Sequence, residues 1–241
     1  GENVPKNFSE AAKWFERSAN NGHPIAQRLI GIMYLNGVGV PQNVKNGAMW
    51  IKSSAEQNDI EAQLILGILY HDGIGVDIDL SQSFTWIEKA SDQGNPEAIY
   101  ILGNMYANGI GVEKNEEMAN LLYKESAEKG FDQAQITIGL SYLPFDAEEA
   151  IKWLRKAAEQ NSPEGQFILG TLYTDVSDFP YHDFEKGFGW IYQSYLQKFP
   201  RAIEWIERAK SGPAEDQYNI AIVFEKGIVI PKDDMKAAEW F

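Results

Sequence analysis

A 36-residue period runs through the chain. Ala26-Gln27, Gly31, Tyr34, Gly37, Gly39 and Val40 return as Ala62-Gln63, Gly67, Tyr70, Gly73, Gly75 and Val76. They return again as Ala98-Ile99, Gly103, Tyr106, Gly109, Gly111 and Val112, and a fourth copy opens at Ala134-Gln135 with Gly139 and Tyr142. A unit of this size is one supersecondary element. It is too small to close a core of its own and buries its apolar face only by leaning on its neighbours. The expected fold is therefore all-α, a solenoid of antiparallel helix pairs with about six repeats in one array over residues 1–241. The array reads as regular over about 1–140 and irregular over about 143–205, with a last repeat over about 206–241.

Each unit divides into two helices. Helix A begins near the Ala-Gln pair. Asn95-Pro96-Glu97 and Ser162-Pro163-Glu164 set a capping residue, a proline at the first helical position and an acid in the first turn, and Pro24 and Pro213 fill the same slot. Helix A ends near the Gly-x-Gly-Val loop. Helix B carries Trp14, Trp50, Trp86, Leu122 and Trp153, and after it comes a position holding Gly22, Asn58, Gly94, Gly130, Asn161 and Gly212. Gly and Asn best tolerate the left-handed conformation that closes a helix.

On these residues the chain resembles the Sel1-like repeat family, relatives of the tetratricopeptide repeats. The best-fitting stretch runs from Ala62-Gln63 through Gly67, Tyr70 and Gly73-Ile74-Gly75-Val76 to Trp86 and Ala90. The resemblance implies a right-handed superhelix with a concave inner surface and adaptor or scaffold roles; it names no partner. Some members pair cysteines within their repeats, and this chain has none. Three departures stand out. The fourth unit lacks the Gly-x-Gly-Val loop, so that Tyr142 to Asp146 runs straight into helix B. The fifth has an unusual loop over Thr174 to Asp183, and a further segment, Ile191 to Arg201, precedes a second helix B-like stretch around Trp205. The last regains the loop as Gly227-Ile228-Val229-Ile230.

Lys plus Arg number 21 against 35 Asp plus Glu, a net charge of −14. That field repels phosphate backbones, which argues against nucleic acid and suits a basic protein or peptide partner. An acidic surface also serves solubility alone. The absence of cysteine removes disulfides, thiolate chemistry and Cys-based metal sites. No apolar run is long enough for a membrane span. The chain opens at Gly1 to Asn7 as if in mid-repeat and stops at Trp240-Phe241 inside another, so both ends read as cut from a longer protein and the compartment stays open.

Gly31, Gly67, Gly103, Gly139 and Gly170 fall in mid-helix, where glycine costs roughly 1 kcal/mol against alanine. Close approach of a neighbouring helix is the natural compensation, and the tryptophans, at equivalent phase, read as interhelical core. With Ala26 as position one, positions one, five, six and nine hold Ala, an aliphatic, Gly and Tyr, and lie on the packing side. Positions three, seven and ten cluster opposite, within about 60° on ideal geometry. Their contents vary: Arg28, Ile32, Leu35; Leu64, Ile68, His71; Tyr100, Asn104, Ala107; Ile136, Leu140, Leu143; Phe167, Thr171, Thr174; Tyr218, Ile222, Glu225. A face that varies on a fixed scaffold is a candidate recognition surface. Tyr100, Phe167 and Tyr218 are the first candidates for anchors. The alternative is that curvature brings the A helices together and buries the stripe.

No catalytic, cofactor or metal site is legible. Gly-x-Gly-Val follows a helix rather than a strand and lacks the Gly-Lys-Ser/Thr ending of a phosphate loop. His23, His71 and His182 have no ligand-like spacing. Asp77-Ile78-Asp79 lacks the glycine and glutamate of a calcium loop, and Glu116-Glu117 and Glu148-Glu149 suit solvated helix starts. The expected function is a non-catalytic interaction module holding a peptide or protein on its inner groove. A dedicated inhibitor or immunity-type protein for one enzyme is the alternative. An enzyme with an unrecognised site and a purely structural array are the remaining readings.

Overall fold

The computed structural model describes residues 7–174, 180–227 and 231–240. Residues 1–6, residues 175–179 of the long loop, Ile228-Val229-Ile230 and Phe241 lie outside the described residues. Among the described residues there are fourteen α-helices and no strand. They fall into two compact units, Gly1–Ser126 and Ala127–Phe241.

In the first unit, helices of type B are α1 (Phe8–Asn20), α3 (Val44–Ala55), α5 (Leu80–Asp92) and α7 (Glu116–Glu128), the last reaching the unit boundary. Helices of type A are α2 (Pro24–Asn36), α4 (Ile60–Asp72) and α6 (Pro96–Asn108). Both types carry a side-chain cap, and the backbone around it separates them, with cap φ at −113° to −151° in the B helices. The B helices start on Asn7, Asn43 and Asp79, whose side chains accept the amide N–H of Glu10, Asn46 and Gln82. The A helices start on His23, Asp59 and Asn95 at φ −65° to −69°, each directly after a left-handed Gly22, Asn58 or Gly94. Helix A stops at a left-handed Gly37, Gly73 or Gly109, and the carbonyl of Tyr34, Tyr70 or Tyr106 then accepts the N–H of the residue capping the next helix B.

The mid-helix glycines do what their cost requires. A Cβ on Gly67 would lie 2.6 Å from the Ile87 side chain, so α4 and α5 close on each other only with hydrogen at that position. In the loop, a Cβ on Gly75 would sit 2.2 Å from the Val44 carbonyl oxygen, which is why the second loop glycine recurs. The Ala-Gln pair has a second function, not visible in its spacing. Gln27 and Gln63 donate their Nε2 to the carbonyls of Ala19 and Ala55 at 3.2 Å, and their Oε1 atoms accept from Gln57 and Gln93 at 2.7 Å. These buried amides are thus satisfied on both ends and pin each corner between helices B and A. Ile99 interrupts the series in the third copy.

The tryptophans need a correction. Trp50, Trp86 and Trp190 pack on the core of the preceding helix pair, but the series is not uniformly buried. Trp86 is 8% exposed against the cluster of Ile51, Leu66 and Leu69, whereas Trp14, on α1, is 61% exposed. Three of them also carry a cation one turn on: Arg17 over Trp14 at 5.0 Å, Lys89 over Trp86 at 4.0 Å and Lys156 over Trp153 at 3.7 Å.

The second unit continues the pattern with α8 (Asp132–Tyr142, type A), α9 (Ala147–Glu159, B), α10 (Pro163–Thr174, A) and α11 (Phe184–Leu196, B). Gln135 and Gln166 repeat the amide series with Gln160 and Gln197. Then comes α12 (Pro200–Lys210), followed by α13 (Ala214–Lys226) and α14 (Asp234–Trp240). The helix B-like reading of the Trp205 stretch is overturned by its backbone. α12 starts on Phe199 at φ −66°, ψ 124°, directly after a left-handed Lys198 at φ 62°. That is the corner leading into a helix A, and Ala202 and Ile206 fill positions one and five of the type A pattern. Lys198, not Gly212, takes the left-handed position; Gly212 is absent from the positive-φ residues. Glu207 stands where the type A glycine would be, which bars close approach of a partner helix B, and α13 follows instead. Trp205 joins Phe188, Ile191, Ile220 and Phe224 in the largest aromatic core of the chain's second unit.

Candidate interaction surface

The stripe at positions three, seven and ten is partly consumed by packing. Leu64, Ile136 and Phe167 are buried, because in each case an adjoining helix covers position three. Leu64 packs with Ile87, Ala98 and Leu102, Ile136 with Ile151 and Leu169, and Phe167 with Trp205. The expectation that Phe167 is a free anchor is therefore corrected: it is 6% exposed, 5.7 Å from the Phe199 ring, with the Arg201 guanidinium 4.9 Å above it. Arg28 is half-buried, its Nε 2.9 Å from Asp59 Oδ1 in an ion pair whose N–H is not aimed at that oxygen. Tyr100 is half-buried and lies 5.4 Å from the Tyr123 ring, while Asn104 Oδ1 accepts the Tyr123 hydroxyl at 2.7 Å. Tyr123 fills the slot that Ile51 and Ile87 occupy in other B helices, and burial, followed by the nearby Tyr100, pushes its hydroxyl above the usual phenol range.

What remains accessible gathers in two places. In the first unit, Ile68, His71 and Asn104 come together with Ile87, Ile101 and Met105 around a pocket of about 160 Å³ between α4 and α6. Its walls are aliphatic. Ser83, His71 and Asn104 are its polar residues, with His71 Nδ1 2.6 Å from Asp72 Oδ1. Ile32 is half-buried against the α3–α4 cluster. In the second unit, Phe167 and Thr171 line a wider pocket of about 490 Å³ with Arg201, Glu204, Trp205 and Arg208 of α12. Tyr218 is 56% exposed and Ile222 half-buried; both stand on α13 outside these two pockets. The α12 contribution is absent from the stripe as read from the sequence. The signal for it is Phe199-Pro200, a helix A start of the Asn95-Pro96 kind.

Among the described residues no group of three or more His, Asp or Glu is placed to hold a metal ion, and no helix is long and apolar enough to cross a membrane.

Comparison with known proteins agrees with this geometry. The Sel1 repeat model matches residues 1–23, 24–59, 60–95, 96–131, 138–162 and 214–241, leaving α10 to α12 as the main unmatched stretch. A Sel1 repeat protein from Oxalobacter formigenes is similar over 97% of this chain and 91% of its own, with a TM-score of 0.73 and 27% identity. Two immunity proteins of Pseudomonas aeruginosa share the fold alone. One covers 81% of this chain and 76% of its own at TM-score 0.54 and 18% identity, the other 80% and 76% at 0.56 and 15%. No curated protein matches in sequence. With helix pairs, corner glycines and six matched repeats in agreement, the chain belongs to the Sel1 repeat family, whose members generally serve as protein-interaction modules.

Proposed function

We propose that this chain is a non-catalytic binding module that takes a protein or peptide partner on its helix A surface, seating an apolar side chain of the partner between α4 and α6. The observation that carries this reading is the mainly aliphatic pocket formed by Ile68, Ile87, Ile101, Met105 and Ile110, open to solvent, with Ser83, His71 and Asn104 as its polar side chains. A cavity of about 160 Å³ is the size of one large aliphatic or aromatic side chain, and such anchors dominate the energetics of peptide recognition. The net charge of −14 favours basic residues flanking the anchor. Selection from a displayed peptide library is expected to return sequences with one large apolar residue among Lys and Arg. Ile68→Asn is then expected to lower their affinity about tenfold or more, with the helical circular dichroism unchanged. Undiminished binding by that variant removes the pocket from the reading.

A second reading, a dedicated inhibitor of one enzyme with a basic surface, draws on the same charge and on the fold shared with the two immunity proteins. It predicts an association rate that falls steeply with added salt, whereas a partner held chiefly by the apolar pocket associates at a rate nearly independent of salt.

A further inference from the structure

The B helices of the second unit enclose a groove of about 860 Å³ between α9 and α11, with α10 at its floor, on residues other than those of the helix A pockets. Repeat-to-repeat comparison explains why it is open and what it offers. In the regular unit the tryptophan of α5 is covered by Lys89, one turn on, and Thr85 stands beside it. In α11 the same two positions hold Gln193 and Gly189, so the lysine that covers Trp86 has no counterpart over Trp190 and position 189 contributes no side chain. The floor differs as well. In the first repeat the Tyr34 hydroxyl donates to Glu16 at 2.9 Å, which uses up its proton. In the second unit the position equivalent to Glu16 is Arg155, which donates Nη2–H to the Tyr173 hydroxyl oxygen at 3.0 Å. A guanidinium only donates, so Tyr173 is the acceptor and its own O–H is left over. Tyr173 is 5% exposed, and its O–H donates no hydrogen bond among the described residues.

The groove is therefore rich in donors without acceptors. Arg155 lies within 4.0 Å of no carboxylate among the described residues; its lysine counterpart in α3, Lys52, reaches Glu56. Trp190 Nε1–H and the Gln193 amide make no hydrogen bond among the described residues. Lys186 Nζ is held by Asp183 at 2.7 Å, and Glu159 stands at the edge. Lys186 is neutralised by Asp183, so Arg155 is the cation of the groove left without a carboxylate partner among the described residues, and it is open to a carboxylate from a guest. We propose that this groove binds the carboxylate of an acidic peptide segment, through Arg155 and the Tyr173 hydroxyl, with the segment lying along Trp190. Arginine and a buried hydroxyl form the charge-assisted, geometrically defined contact that suits a planar carboxylate.

The test uses acetylated tetraglutamate as probe against the whole chain, with tetraglutamine and inorganic phosphate as controls. The Trp190 indole N–H resonance is the readout, assigned through Trp190→Phe. Tetraglutamate is expected to shift that resonance saturably and tetraglutamine to leave it still. Arg155→Gln, a change at an exposed side chain, is expected to weaken binding about tenfold or more. Tyr173→Phe, which keeps the ring and removes only the donor, is expected to weaken it about threefold to tenfold. Equal shifts by tetraglutamine, unchanged affinity in both variants, or a shift by phosphate without one by tetraglutamate overturns the proposal. Ile68→Asn is expected to leave tetraglutamate binding unaltered, so failure here and failure of the helix A reading are told apart.

Discussion

The groove between α4 and α6 in the first unit and the groove between α10 and α12 in the second are the same feature with opposite chemistry. Each lies between successive helices of type A, and the positions correspond: Ile68 to Thr171, Ile101 to Trp205, and Asn104 to Arg208. In the first unit the result is a small aliphatic pocket. In the second it is a wider one, floored by Phe167 and Trp205 and edged by Arg201 and Arg208. The two backbones diverge mainly in the second half of the later helix and at its exit. α6 ends at a left-handed Gly109 and carries Gly103 for close packing, whereas α12 has Glu207 at the glycine position and gives way to another helix. A helix A freed from pairing with a helix B still buries its neighbour's position three, but its own stripe can carry charge. The repeat thus holds corner geometry constant while the surface is rewritten.

Three measurements sharpen or break this comparison. The largest effect is expected from Trp205→Ala. If α12 is an integral layer of the second unit, removing its ring from the Phe188–Phe224 cluster costs about 3–5 kcal/mol in urea unfolding. A loss below about 1 kcal/mol means α12 is an ornament and the equivalence with α6 fails. Next is Lys198→Gly. Lys198 holds φ 62° at the corner into α12, where Gly22, Gly94 and Gly130 stand at other corners. Relief of left-handed strain, set against the added freedom of the unfolded chain, is expected to raise stability by about 0.5–1 kcal/mol. A decrease means that this corner is not built like the others.

The smallest effect is electrostatic. At Asp183, which caps α11, burial acts to raise the carboxyl, but hydrogen bonds from the Lys186 ammonium and backbone outweigh it and hold the group below its ordinary value. A depressed folded-state value stabilises the fold above the unfolded value, and that contribution disappears as pH falls through the folded one. Asp183→Asn keeps a competent cap, as Asn43 does on α3, and removes the charge. The difference between the two proteins is expected to be well under about 1 kcal/mol near pH 6, because the site is largely solvated, and to vanish once the pH has fallen below the folded-state value. Melting curves in both pH ranges check it; a difference that persists in acid assigns the effect to the cap instead of the charge.

Much of this was legible in the residues. The period located the A and B helices through α11, Pro24, Asn95-Pro96 and Ser162-Pro163 marked where A helices start, and Gly67 proved to need its hydrogen because Ile87 presses on it. The stripe was legible only as a set of variable positions. Whether Leu64, Ile136 and Phe167 faced solvent depended on how closely the next helix lies, a distance that no residue spacing encodes. Exposure of the tryptophans was not legible either: Trp14 and Trp86 are alike in sequence, yet they are 61% and 8% exposed. The α12 helix was missed because Trp205 resembled the helix B tryptophans more loudly than Phe199-Pro200 resembled a helix A start.

By itself the sequence determined most of what is local and recurrent: the helices of the regular repeats, the left-handed corners at Gly22, Asn58, Gly94, Gly130 and Asn161, the glycines that permit close approach and the helix-pair unit of the Sel1 repeat family. Those depend on a few residues and their immediate dihedral and steric limits, so a pattern repeated several times is enough to read them. The tertiary structure alone decided which side chains of the stripe are covered, where α12 sits, and that Tyr173 accepts from Arg155 where Tyr34 donates to Glu16. Those outcomes rest on contacts between residues far apart in the chain, where one substituted partner reverses the direction of a hydrogen bond and with it the charge a groove prefers.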